Sequence, residues 1–254
     1  MNIIDKFGLK GKKALITGGA RGIGKSTAIA FAQAGADIAI VDRDIDEAVK
    51  TANELQTYGI RSIAVNTDVT KPEDVKNMVN IILDAFSTID IAICNAGICI
   101  NEKAEEMTFE SWKKVIDINL TGVFLTAQAA GRVMIKKGKG SIINLASMSG
   151  HVVNQPQPQC AYNASKAGVI MLTKSLAVEW APYNVRVNCI SPGYIATEMT
   201  LKATNWIPSW IESTPLKRMG NPEELQGAML YLASDASMYT SGSDIVIDGA
   251  FTCI

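Results

Sequence analysis

The chain has 254 residues, of which 48% are hydrophobic and 19% charged, enough apolar content for a large α/β core. A net charge of −1 carries no basic footprint for nucleic acid or an acidic membrane surface. No apolar run approaches the ~20 residues of a membrane helix, the start lacks the pattern of an export signal, and five scattered cysteines with one histidine, His151, offer no metal site. A cytoplasmic, metal-free protein is expected.

Residues 12–17 read as a short buried strand, and Gly18-Gly19-Ala20-Arg21-Gly22-Ile23-Gly24 follows it. A helix over 25–33 comes next, closed by Gly35 as a left-handed cap. Residues 36–41 form the second strand, which ends at Asp42. This is the strand, turn, helix, strand order of a dinucleotide site. The glycines let the backbone approach a pyrophosphate, and the helix N-terminus supplies unpaired N–H donors. Asp42 lies 18 residues after Gly24, where a carboxylate can bind a ribose diol.

The alternation continues. A helix over 46–57 leads to a strand over 61–66 that ends near Asp68-Val69. Thr70-Lys71-Pro72-Glu73 has capping-box spacing and opens a helix to about residue 86. The strand 89–94 is broken by Asn95-Ala96-Gly97, and a long helix spans roughly 108–137. Strand 141–146, helix 161–180, strand 185–190, helix 222–233 and strand 244–247 complete the series. The pattern predicts one domain over 1–254: a Rossmann-like doubly wound sheet of about seven parallel strands with helices on both faces. Asp42, Asp68, Asn95, Ser147 and Pro192-Gly193 all fall at carboxyl ends of strands, the edge where such sheets bind ligands.

Tyr162 and Lys166 are four residues apart, one turn of a helix, so phenol and ammonium share a face. A phenol ionises near ~10. A fixed cation nearby stabilises the phenolate, which makes the pair a candidate acid/base unit for alcohol/ketone interconversion.

Thr17-Gly18-x-x-x-Gly22-x-Gly24, Asn95-Ala96-Gly97 and Tyr162-x-x-x-Lys166 together resemble the short-chain dehydrogenase/reductase family, over residues 11 to about 249. The resemblance implies Tyr162 as acid/base and Lys166 as the group that lowers its pKa and binds the nicotinamide ribose. It also implies Ser147 as the holder of the substrate oxygen. Asn119 would position Lys166 through a water and bend the long helix. The interval from Ser147 to Tyr162 is 15 residues, longer than the family's common spacing, and Ser149 sits closer to that spacing. Ser147 is kept because it matches Asn-x-x-Ser after the strand. The coenzyme would lie on Gly18, Arg21, Gly22, Ile23, Gly24, Asp42, Arg43, Asp68, Val69, Asn95, Ala96 and Gly97, then on Pro192, Gly193, Ile195 and Thr197.

Asp42 should repel a 2′-phosphate, so NAD is expected. Arg21 and Arg43 are natural phosphate clamps, which keeps NADP possible, although Arg21 could instead be solvated or paired with Asp42. Residues 198–220, with Trp206 and Trp210, read as an irregular substrate cover, or as packing against a neighbouring subunit. Ser149, His151, Gln159 and Trp206 are the candidate substrate contacts.

The run Gln155-Pro-Gln-Pro-Gln-Cys-Ala-Tyr162 resembles the family's sugar-alcohol branch, the sorbose reductases and the arabinitol or mannitol dehydrogenases. A small polyol or ketose is therefore the expected substrate, with amide side chains recognising its hydroxyls. The resemblance further implies a homotetramer built on the two long helices and the C-terminal strand. Two other readings stay open: an oxoacyl-thioester reductase using NADPH, and a non-catalytic nucleotide sensor.

Overall fold

In a computed structural model of the chain, which describes residues 2–254, seven strands form one parallel sheet. They are β1 (Lys13–Thr17), β2 (Asp37–Asp42), β3 (Ser62–Asn66), β4 (Ile91–Cys94), β5 (Gly140–Leu145), β6 (Val185–Pro192) and β7 (Asp244–Ile247). Their order is β3-β2-β1-β4-β5-β6-β7, and every neighbouring pair is parallel. The strands carry short apolar runs because both faces of the sheet are covered; Ile38, Ala39, Ile40 and Val41 of β2 are all buried.

The helices divide between the two faces. On one, α1 (Gly22–Gln33) and α2 (Ile45–Gln56) pack Phe31 and Leu55 over β1 to β3, and α9 (Gln226–Ala233) packs Leu232 over β5 and β6. On the other lie α3 (Pro72–Phe86), α4 (Phe109–Ile116), α5 (Gly122–Lys137) and α6 (Cys160–Trp180), with Met78 over β2 and β3 and Ala127, Met134 and Val169 over β4 to β6. The doubly wound sheet expected from the strand and helix periodicities is what forms.

Four local features depart from the sequence reading. Helix α1 starts at Gly22, inside the glycine turn, and not at residue 25. No capping box forms at Thr70: Lys71 is the N-cap without a side-chain bond, and the Thr70 hydroxyl donates to Asp68 Oδ1 at 2.7 Å. The long helix is interrupted by a π-helical turn over Asp117–Thr121, which contains the buried Asn119 and separates α4 from α5. The segment read as irregular contains two short helices, α7 (Glu198–Leu201) and α8 (Ile207–Ser213).

Candidate active site

The winding of the sheet reverses between β1 and β4, and the loops after those strands are laced together. Thr17 Oγ1 accepts the Asn95 amide at 3.0 Å, and Asn95 Nδ2 donates to the carbonyls of Thr17 and Gly18 at 3.0 and 2.9 Å. Gly18 has φ +60°, and a methyl there would stand 2.9 Å from Asn95 Nδ2. At Gly24 a methyl would overlap the Gly18 carbonyl and come within 2.7 Å of the same carboxamide. Both positions therefore demand glycine. The product is a backbone cradle at the start of α1, whose first amides lack intrahelical partners.

A cavity of about 670 Å³ opens around this cradle. Gly18, Arg21, Gly22, Ile23, Asp42, Arg43, Asp68, Val69, Asn95, Ala96, Gly97, Pro192, Gly193, Ile195 and Thr197 all line it. Gly24 is buried behind them. Residues as far apart in sequence as Gly18 and Thr197 thus meet because the loops that carry them leave the carboxyl ends of parallel strands.

At the β2 end, the Asp42 carboxylate accepts the amides of Ala20 at 3.2 Å and Asp44 at 3.1 Å. Arg21 does not pair with Asp42. Its guanidinium meets Asp44 at 2.7 Å, with Glu47 at 3.9 Å and Glu198 at 4.0 Å. The reason is that Asp44 caps α2, accepting the Glu47 amide at 3.3 Å, and this fixes its carboxylate beside the glycine turn. The side-chain hydrogen bond to Asp44 holds the Arg21 guanidinium above its usual range. Arg43 stays exposed at the cavity rim. A glycine cradle followed by a carboxylate at the end of β2 fits an adenine dinucleotide, pyrophosphate on the α1 amides and ribose at Asp42.

At the other end, Ser147, Tyr162 and Lys166 line the same cavity. Lys166 is 3% exposed and donates from Nζ to the Leu145 carbonyl at 2.7 Å. Nζ lies 5.5 Å from the centre of the Tyr162 ring. Burial brings the ammonium down to about 8. The expectation that Lys166 lowers the Tyr162 pKa is not met in the chain alone: burial pushes the phenol up, the Cys99 thiol adds to this, and a hydrogen bond with Ser147 works against it. The ammonium is spent on Leu145 and lies over the ring. Because Tyr162 is half-buried and faces the cavity, solvent moderates that push.

Ser147 caps the turn Met148–Gly150, accepting the Ser149 amide at 3.1 Å. Ser149 lies behind it and outside the cavity lining. Asn119 is fully buried and does not line the cavity. Its Oδ1 accepts the Ile98 amide at 2.8 Å, while Nδ2 donates to the Ile98 carbonyl at 2.8 Å and to Ser165 Oγ at 3.1 Å. The π-helical turn thereby ties the loop after β4 to α6. The other candidate substrate contacts stand away from the cavity. His151 Nε2 bonds Asp244 Oδ2 at 2.7 Å, Gln159 is buried among protein partners, and Trp206 packs at 6.2 Å on Trp210.

Sequence reasoning missed Cys99, which lines the cavity and whose thiol burial pushes up to about 11. It also missed the Leu145 carbonyl, a backbone acceptor with no signature in side-chain type.

Residues 18–252 match the family described as enoyl-(acyl carrier protein) reductase. The chain is 46% identical to a sorbose reductase of Candida albicans over 255 residues, covering 99% of this chain and 91% of that one. It is likewise 46% identical to a probable NADP-dependent mannitol dehydrogenase of Yarrowia lipolytica over 259 residues, with coverage of 99% and 91%. Among solved structures, a short-chain type dehydrogenase/reductase from Mycobacterium marinum superposes with a TM-score of 0.98 at 48% identity, covering all of both chains. Among the described residues, no helix is long and apolar enough to cross a membrane. Fold, strand-end cavity and these relationships agree: the chain belongs to the short-chain dehydrogenase/reductase family of nicotinamide-dependent oxidoreductases.

Proposed function

We propose that this enzyme interconverts a secondary alcohol and a ketone on a polyol/ketose pair, with Tyr162 as general acid/base and NAD(H) as the preferred coenzyme. The observation that carries the reading is that Ser147, Tyr162 and Lys166 open on the same cavity as the glycine cradle. When bound, the nicotinamide gives or takes the hydride and, oxidised, adds a positive charge to the site. Tyr162 moves the proton at its phenolic oxygen. Ser147 orients and polarises the substrate oxygen beside it. Lys166, anchored on β5, would hold a ribose hydroxyl of the coenzyme. Asn119 positions Lys166 by fixing the loop around Gly97, where a methyl would lie 3.4 Å from Asn119 Oδ1 and 3.7 Å from Lys166 Nζ.

The polyol/ketose assignment is supported by the names of relatives, among them a galactitol 2-dehydrogenase of Rhizobium johnstonii, 40% identical over 260 residues, covering all of both chains. For the coenzyme, Asp42 with Arg21 withdrawn into its acidic cluster favours NAD, while the exposed Arg43 leaves NADP accessible. Residues 198–220 are read as the substrate cover. Exposed Met171 and Val178 on α6 support a homotetramer contact on that face.

Turnover of four- to six-carbon polyols and ketoses with NAD(H) and NADP(H), beside an oxoacyl thioester and an enoyl thioester, tests the reading. Reduction of a thioester substrate far above any ketose refutes the substrate class. Coenzyme binding without turnover on the whole panel favours a nucleotide sensor.

A further inference from the structure

Three of the four amide side chains of residues 154–159, all but the exposed Gln155, are engaged inside the protein and do not line the cavity. Asn154, Gln157 and Gln159 are 3%, 4% and 7% exposed. Gln159 Nε2 donates to Ser149 Oγ at 3.2 Å, Asn154 Oδ1 at 3.1 Å and Asn163 Oδ1 at 2.8 Å. Asn154 Nδ2 and Gln157 Nε2 both donate to the Tyr194 hydroxyl, at 3.2 and 3.0 Å. Gln157 Oε1 accepts the indole N–H of Trp210 at 2.8 Å. The chain of bonds ends on two functional elements. At one end the Ser147 hydroxyl donates to Ser149 Oγ at 3.2 Å. At the other Trp210, buried on α8, stacks on Tyr194 at 4.4 Å with 9° between the rings.

Turning any one of these buried carboxamides would strand the donors and acceptors of its neighbours. The set therefore has one arrangement, and it bridges three separate stretches of chain: the loop after β5, the loop after β6, and α8. We propose that it is a positioning relay, with Gln159 at its hub, that holds α8 in fixed relation to Ser147 and so sets substrate affinity while leaving the hydride and proton steps alone. The kinetic part of this proposal rests on the roles given above to Ser147 and to residues 198–220.

Hydrogen exchange of the ligand-free protein, read by mass spectrometry, tests the relay directly. Gln159→Leu should speed exchange over 207–213 by about five-fold or more and leave α2 unchanged. Unaltered exchange over 207–213 overturns the proposal. If that variant loosens α2 as well, Trp210→Phe, which removes the indole donor and keeps an aromatic ring, is read from the opposite end. Faster exchange over 148–163 then supports the relay, and unaltered exchange there overturns it. Kinetics supply a second readout on the best substrate of the panel. Ser149→Ala and Trp210→Phe should each raise KM by a larger factor than they lower kcat, and the double variant should be no worse than the poorer single. Multiplying effects would mean that the two ends are uncoupled. Exchange needs no substrate, so a chain inactive on the whole panel would sink the functional reading without deciding the relay.

Discussion

Lys166 is hydrogen-bonded to the carbonyl of Leu145 at 2.7 Å, so the ammonium is anchored to the sheet and not to the tyrosine one turn before it. A cation buried with that anchor is a standing cost to the fold. Its pKa of about 8 lies below the ordinary 10.5. The unfolded chain therefore keeps this proton to higher pH, and the folded state gains stability as pH rises between those two values. The full span is worth about 3 kcal/mol. Lys166→Met removes the titration, so its melting temperature relative to the parent should be most favourable near pH 7 and should fall by several degrees as pH approaches 10. Thermal scans of both proteins across that range check it; a constant difference would mean Lys166 is solvated. Turnover should be lost in the variant at every pH.

Burial holds the Tyr162 phenol in its protonated form at neutral pH, which is the form that can give a proton to a ketone. Alcohol oxidation needs the opposite form. The sign follows: the rate of oxidation should climb with pH, while ketone reduction should stay level through neutrality and decline only in base. Tyr162→Phe should cut kcat in both directions by about 10²–10⁴ with little change in coenzyme affinity. Initial rates in both directions, with coenzyme binding followed by NADH fluorescence, settle the matter.

Asp44 holds Arg21 in an ion pair at 2.7 Å beside the glycine turn, and Glu47 and Glu198 flank it. Releasing the guanidinium should help a 2′-phosphate without touching the rest of the site. Asp44→Asn keeps an acceptor for the Glu47 amide, so the α2 cap survives. Its kcat/KM with NADPH should rise by about ten-fold relative to NADH, an effect of ~1.4 kcal/mol. Arg43→Ala should lower NADPH use and spare NADH. If the coenzyme ratio is unmoved by Asp44→Asn, Arg21 does not reach the ribose.

The sheet was legible because burial on both faces turns each strand into a short apolar run, and because glycine, asparagine and proline mark the strand ends where the cavity forms. Periodicity and spacing report which residues share an edge. They do not report side-chain partners. That is why Asp44 displaced Asp42 as the partner of Arg21, and why Thr70 turned to Asp68 and formed no capping box. The amide-rich loop misled for a related reason: polar side chains near a site read as ligand contacts, yet Gln157 and Gln159 are consumed inside the protein. Helix α8 was hidden by its composition, with Pro208 and Trp210 among its seven residues and Trp206 at its N-cap.

Asn119 offers the sharpest stability test, because its carboxamide, the one fully buried side chain of the π-helical turn, satisfies both the amide and the carbonyl of Ile98 at 2.8 Å. Leucine has nearly the same shape and neither polar atom. Asn119→Leu would leave two part-buried backbone groups of Ile98 without these partners, each costing about 1–3 kcal/mol. The melting temperature should fall by roughly 5–15 °C, taking a few degrees per kcal/mol for a chain of this size. Asn119→Asp retains an acceptor for the Ile98 amide and sets a second oxygen against the Ile98 carbonyl, so it should be destabilised too, and more at pH 8 than at pH 5, where the carboxyl can protonate and donate. A melting temperature unchanged in Asn119→Leu would mean that water reaches Ile98 and that the loop after β4 is held by Asn95 alone.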